Sequence, residues 1–281
     1  MPTIPPVRPS PLAGTWYEAD PAALTRTVDA YLAAKLPDLP GEVIALIAPH
    51  AGLRYSGGVA GYAFAAALGL APQRVAVISP MHHLYAQPLL TSAHSAYQTP
   101  LGQVAVDAGL IADLDMRLSE RLGFGLTPIA NDPEHAIEIE LPFLQRAIKP
   151  GFSLLPVMMR SQTLETARAM GAALAETLRD TNALLVASTD LSHFYKQTVA
   201  WHLDSAMLAQ VAAFSPEGVF EAQESGKGEA CGYGALAAVL WAACALGGDT
   251  VKLLARATSG DVTGDHQRVV GYGAAVILKT K

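Results

Sequence analysis

Short, uninterrupted apolar runs that each end beside a histidine constrain this chain more than any other feature. Val43–Ala48 runs into Pro49-His50, Arg74–Ser79 into Pro80-Met81-His82-His83, and Leu184–Ser188 into Thr189-Asp190-Leu191-Ser192-His193. A strand that reads apolar at successive positions is buried on both faces, which requires helices on both sides of its sheet. The intervening segments supply them. Asp20 as N-cap with Pro21 at the first helical position opens a helix to about Lys35, and Gly57–Leu68 reads as a helix crossing back over the sheet. That helix joins the first two runs into a βαβ unit, right-handed by default. The expectation is an α/β fold: a single αβα domain over residues 1–281 with a central, mostly parallel or mixed sheet.

The remaining elements follow the same alternation. Phe152–Met158 and Ala183–Ala187 read as strands around a helix at Thr163–Arg179, and Val251–Thr258 and Val269–Leu278 as closing strands. Thr198–Leu246 reads as helices broken near Gly226–Glu229, and Glu138–Ile148 as a helix with Pro142 in its first turn. The stretch His94–Ile129 suggests two short helices and loops, and residues 1–40 an extended segment and a helix packing on the core.

Composition narrows the classes. Half the residues are hydrophobic (51%) and only 16% charged, ample for a buried core. A net charge of −6 and a pI near 5.7 argue against a nucleic-acid surface, although Arg54 and Arg268 could still meet an anionic ligand. Mean hydropathy is +0.27, raised by alanine-rich helices, yet no apolar run approaches the ~18 residues of a membrane span. The proline-rich start has no apolar core, so no signal peptide is expected. Two cysteines, Cys231 and Cys244, thirteen residues apart, give no disulfide framework and suit the cytoplasm.

Ligands of open α/β sheets bind outside the carboxyl ends of the strands, so His50, His82 and His193 converge on one pocket if their strands are parallel neighbours. Convergent imidazoles suit a borderline divalent metal. His50 precedes glycines (Gly52, Gly57, Gly58) that permit close backbone approach, a pattern a buried structural histidine shares. His82 and His83 cannot both face the site from an extended segment, and His82 is preferred. Asp190 either fixes the His193 imidazole or caps a following helix. Cys231, before an apolar helix, has the setting of a low-pKa thiol or of a small buried cysteine, and Cys244 reads as core.

Glu134-His135-Ala136-Ile137-Glu138-Ile139-Glu140 concentrates three carboxylates and a histidine, with His135 and Glu138 on one face if helical. His94, His202 and His266 read as ordinary surface or turn residues. No Gly-x-Ser-x-Gly elbow marks a serine hydrolase, and no paired cysteines mark a structural zinc site. What remains is an open mononuclear site with two histidines and a third, anionic ligand.

Eight ordered motifs, spread nearly end to end, carry a resemblance. They are AGTWYEAD from Ala13, IAPHAGLRYSG from Ile47, SPMHH from Ser79, TPLG from Thr99, EHAIEIELPF from Glu134, STDLSHF from Ser188, ACGYGA from Ala230 and TSGDVTGD from Thr258. On these the chain resembles the Memo family, which includes protein B of the AmmeMemoRadiSam system and is similar in fold to class III extradiol (LigB-type) dioxygenases. The resemblance implies metal ligands at His50, His82 and Cys231, an acid/base at His193 with Asp190 beside it, and Tyr55 at the pocket wall. It implies a non-haem Fe(II) oxidoreductase acting with O2 on a catechol-like small molecule, copper or zinc being the other metals such a donor set takes.

Two departures stand out. Met81 replaces a serine common in the family, and Cys231 stands where the dioxygenases use a glutamate. Both favour the rival expectation, a binding module that uses the pocket for an anionic peptide or ligand, or for metal sequestration. The family name adds radical-SAM system proteins as partners.

Overall fold

The computed structural model describes residues 5–281; Met1–Ile4, the start of the expected lead-in, lie outside the described residues. In chain order the elements are β1 (Val7–Arg8), α1 (Pro21–Leu32), β2 (Glu42–Ala48), α2 (Leu53–Ala65), β3 (Arg74–Pro80), β4 (Leu89–Ser92), β5 (Ala96–Thr99), β6 (Gly102–Ala105), α3 (Ala108–Leu122) and β7 (Thr127–Ile129). They continue with α4 (Leu141–Ala147), β8 (Ser153–Met159), α5 (Leu164–Leu178), β9 (Ala183–Ser188), β10 (His193–Tyr195), α6 (Gln197–Ala212), α7 (Pro216–Glu224), α8 (Tyr233–Ala245), β11 (Thr250–Thr258), α9 (Gly260–Thr263) and β12 (Val269–Lys279).

The central sheet runs β10-β12-β2-β9-β3-β8-β4-β7, with β11 on β12 as well. Its middle, β2-β9-β3-β8, is parallel, and β12 and β4 close it antiparallel on either side. Strand β9 lies between β2 and β3, so the βαβ unit read from the sequence encloses a later strand. A separate small sheet, β1-β5-β6, carries the N-terminal segment.

The continuous apolar strands do what their sequence implies, feeding two cores at once. Ala45, Ile47, Ala76, Ile78, Leu185 and Ala187 face a core built with α3, α5, α6, α7 and α8. The alternate residues Leu46, Ala48, Val75, Val77, Leu184 and Val186 face one built with α1, α2 and α4. The result is a three-layer αβα architecture. The glycines after His50 serve this packing: a Cβ at Gly57 or Gly61 would run into Tyr31 of α1, so they let α1 lie against α2.

Local signals account for most boundaries. Asp20 accepts the Ala23 N–H and caps α1 as expected. The stretch 94–129 differs, holding β5, β6, one long helix and β7 in place of two short helices. Asp107 caps α3 through the Leu110 N–H, and Gly123 ends it in the left-handed region (φ 76°). The expected 138–148 helix is a 3-10 turn at Glu138–Glu140 followed by α4, with Pro142 in the first turn of α4.

Candidate metal centre

The parallel strands end at one edge of the sheet, where the segments leaving β2, β3 and β9 bring His50, His82, Asp190 and His193 to a cavity of about 660 Å3. His135, from the segment before α4, Trp16, from the turn before α1, and Tyr55, in the first turn of α2, complete its near wall. His50, His82 and His135 offer one donor atom each within 4.8 Å of one another. Their rings lie 4.5–5.3 Å apart between centroids, and Trp16 covers His135 at 4.4 Å.

A buried carboxylate sets two of these imidazoles. Glu134 Oε1 lies 2.9 Å from His82 Nδ1 and 3.2 Å from His135 Nδ1, while accepting the His135 and Ala136 N–H groups. Its other oxygen accepts the His82 N–H at 2.6 Å. Burial would raise the Glu134 pKa, but the bonds and charges of His82 and His135 hold it down at about 2, so it stays ionised. An ionised acceptor at each Nδ1 fixes the Nδ1–H tautomer and turns both Nε2 lone pairs outward. Burial, reinforced by His82, outweighs Glu134 at His135 and lowers its pKa to about 4, leaving it neutral.

His50 is set by a different device. Its Nδ1 lies 2.9 Å from Ser188 Oγ, which is also 2.7 Å from Glu140 Oε1 and from the Ala136 carbonyl. Burial raises the Glu140 pKa well above the carboxylate range, so Glu140 keeps its proton. The protonated acid donates to Ser188, Ser188 donates to the carbonyl, and Oγ is left to accept from His50 Nδ1–H. The third Nε2 is thereby left with its lone pair, and Cys231 Sγ is its neighbour. Burial and the neighbouring imidazoles keep His50 neutral well below its usual pKa, as a metal ligand must be.

His193 lies off this trio. Its Nδ1 donates to the Leu191 carbonyl at 2.8 Å, its backbone N–H donates to Glu229, and burial lowers its pKa. A neutral imidazole with Nδ1 engaged presents Nε2 as a base. Asp190 neither orients it nor caps a helix: β10 follows, and Asp190 Oδ1 accepts the His50 and Ala51 N–H groups at 2.8 and 3.3 Å. Asp190 braces the His50 loop, and burial pushes its pKa up to about 7 against those bonds.

Cys231 lies against His50, its Sγ 3.2 Å from Nε2, and also accepts the Asp190 N–H at 3.3 Å. Of the two settings open to it, the low-pKa thiol is not met: burial and the nearby Asp190 charge push the thiol up. Cys231 precedes the Gly232 N-cap of α8 and lies beside His50 Nε2, and burial outweighs the helix terminus. The three-donor group is closed by His135, which the sequence placed on one face with Glu138 and not among the metal ligands. His135 has no helical partner in Glu138, because the segment before Glu138 is not helical and Glu138 turns to Arg8. Cys244 is exposed, and His94 is buried, bridging the Pro5 carbonyl and the Asn131 N–H. No helix among the described residues is long and apolar enough to cross a membrane.

Comparison with known proteins agrees with the geometry. Residues 8–276 match the family model described as Memo-like protein. A MEMO1 family protein of Methanopyrus kandleri is 34% identical over 95% of this chain and 98% of its own length. One of Methanothermobacter thermautotrophicus is 36% identical over the same shares, and one of Nitrosopumilus maritimus 30%. A crystal structure of an uncharacterized Escherichia coli K12 protein aligns at 17% identity and TM-score 0.49 over 84% of this chain and 100% of its own, too remote to carry an argument.

Proposed function

The chain belongs to the Memo-like family, and from that premise we propose that it is a metal-dependent oxidoreductase of extradiol type acting on a small hydroxylated aromatic molecule. The observation that carries this reading is the set of three imidazoles whose Nδ1 atoms are all engaged within the protein and whose donor atoms lie within 4.8 Å of one another. Imidazoles held at Nδ1, two by Glu134 and one by Ser188, fit iron(II), copper or zinc. His50, His82 and His135 would hold the ion, with Cys231 Sγ as a further donor beside His50. Bound there, iron(II) supplies the redox and Lewis-acid chemistry of an oxygenation.

The protein supplies the rest. Trp16 and Tyr55 flank the cavity and orient a planar ring toward the imidazoles. His193 Nε2 takes the proton of a substrate hydroxyl, its Nδ1–H held by the Leu191 carbonyl. The buried floor of His50 and Asp190 keeps bulk water from the reacting hydroxyls.

A second reading, binding without turnover, is favoured by one observation: the Glu134 carboxylate is consumed in holding imidazoles, so the donor set has no carboxylate. One experiment separates the two. Protein purified without oxygen is assayed for iron and then for O2 uptake with catechols and aminophenols, wild type against His82→Ala and His193→Ala. Stoichiometric iron lost in His82→Ala, with O2 uptake lost in His193→Ala, supports the enzyme. Iron without any O2 uptake favours the binding module, and wild type that takes up no metal sinks the metal centre.

A further inference from the structure

Six arginines of this acidic chain, Arg8, Arg74, Arg117, Arg121, Arg146 and Arg168, lie in ion pairs with carboxylates. Among those that do not, two stand together at the mouth of the histidine cavity. Arg54 and Arg268 both line it, both are exposed, and among the described residues neither hydrogen-bonds or ion-pairs with a carboxylate. Each is instead associated with an aromatic ring. The Arg54 guanidinium lies 5.9 Å from the Tyr55 centroid and that of Arg268 lies 5.3 Å from the Phe194 centroid. Ring contact of this kind steers a guanidinium while leaving its N–H donors free for an oxyanion.

The charge around the cavity is correspondingly one-sided. The lining carboxylates are Asp190, buried in the floor, and Asp265 at the rim, whose Oδ1 already accepts the Gln267 N–H. The walls are aromatic: Trp16, Tyr55, Phe194 and Tyr272. A cavity near 660 Å3 holds one substituted ring with room to spare and is within the usual range for small-molecule sites.

We propose that this pocket selects a small aromatic acid, its ring between the aromatic walls and its carboxylate at Arg54 and Arg268. The proposal deepens the oxidoreductase reading and rests on it in one respect only, that the ring hydroxyls point inward to the histidines. The carboxylate then faces the mouth. A neutral catechol leaves both guanidiniums unanswered, and an acid without a ring leaves the walls empty. Exposed charge pairs each contribute modestly, so two together are expected to favour the acid over its neutral parent by roughly ten-fold.

Calorimetric titration tests this with 3,4-dihydroxybenzoate, catechol and acetate as probes, on metal-free and on zinc-loaded protein, wild type against Arg54→Gln/Arg268→Gln. The expected result is about ten-fold tighter binding of the dihydroxybenzoate than of catechol, weaker binding of acetate than of either, and a preference within about two-fold in the double variant. Equal affinities for acid and catechol, a preference that survives in the double variant, or acetate binding as well as the ring acid would each overturn it. Both arginines are exposed, so the variant is expected to fold, and its far-UV circular dichroism and melting are recorded alongside. Zinc uptake in the same samples reads the histidine centre independently. Uptake failing while the charge preference persists removes the oxidoreductase reading and leaves the acid-binding pocket standing.

Discussion

Glu134 is the residue on which the arrangement of the site turns. One buried carboxylate holds the rings of His82 and His135 and the main chain at His82, His135 and Ala136, so its loss would free two of the three donors together. Glu134→Gln is expected to weaken zinc binding by about 10- to 100-fold, the usual cost of losing a partner behind a ligating histidine. Competition against a chromophoric chelator measures it, and an unchanged affinity would show that the imidazoles orient themselves. Ser188→Ala tests the other device: it strands the Glu140 carboxyl and His50 Nδ1 in a dry interior and is expected to cost about 1–3 kcal/mol in urea denaturation. At this scale the sequence was legible where a strand end delivers a residue, as with His50, His82 and His193. It was silent on Glu134 and Glu140, because all three carboxylates of that cluster are buried and which partner each one meets depends on a non-helical segment that periodicity cannot describe.

The N-terminal segment shows how an element can matter to a site it barely touches. Arg8, in the two-residue β1, is buried and directs its guanidinium entirely at residues 132–138, to the Asp132 carboxylate and carbonyl, the Glu134 carbonyl and the Glu138 carboxylate. Glu138 in turn accepts from Ser10 and from Tyr17, the neighbour of Trp16. The walls bearing Trp16 and His135 are thus referenced to one ion cluster. Removing one partner of a buried pair leaves the others uncompensated, so Arg8→Met is expected to destabilise by about 3–5 kcal/mol. Adding Glu138→Gln should recover part of that loss; chemical denaturation of both variants decides, and a near-neutral Arg8→Met would mean that the cluster is solvated. The long helices and buried strands of the sheet were readable from apolar runs and caps. This strap was not, because a strand of two residues among prolines has no period to read.

Across the whole molecule, the two-sided apolar strands dictated the layers, but strand order was hidden: β2, β3 and β9 all read as continuous apolar runs, so nothing in β9 announces that it inserts between the other two, where α8 packs across all three. The same layered packing gives the fold a pH dependence that can be assigned to one group. Asp204, on α6, lies fully buried with its carboxylate packed on Gly271 of β12, bonded to the Ser192 N–H through Oδ1, while Oδ2 has no partner. Burial outweighs that bond and the nearby Arg256 charge and raises the Asp204 pKa from 3.8 to about 6. A carboxyl whose folded pKa is raised binds its proton more tightly in the folded state, so its contribution is fully present below pH 3.8 and is lost as pH rises through about 6. A shift of this size corresponds to roughly 3 kcal/mol at 1.36 kcal/mol per unit. Asp204→Asn carries no such titration. The stability of wild type relative to Asp204→Asn should therefore fall by about that amount between pH 4 and pH 8, with most of the change below pH 6. Urea denaturation of both proteins across that range measures the difference, which cancels every other titrating group they share. A difference that stays constant with pH would place Asp204 in contact with water and the α6–β12 seam open.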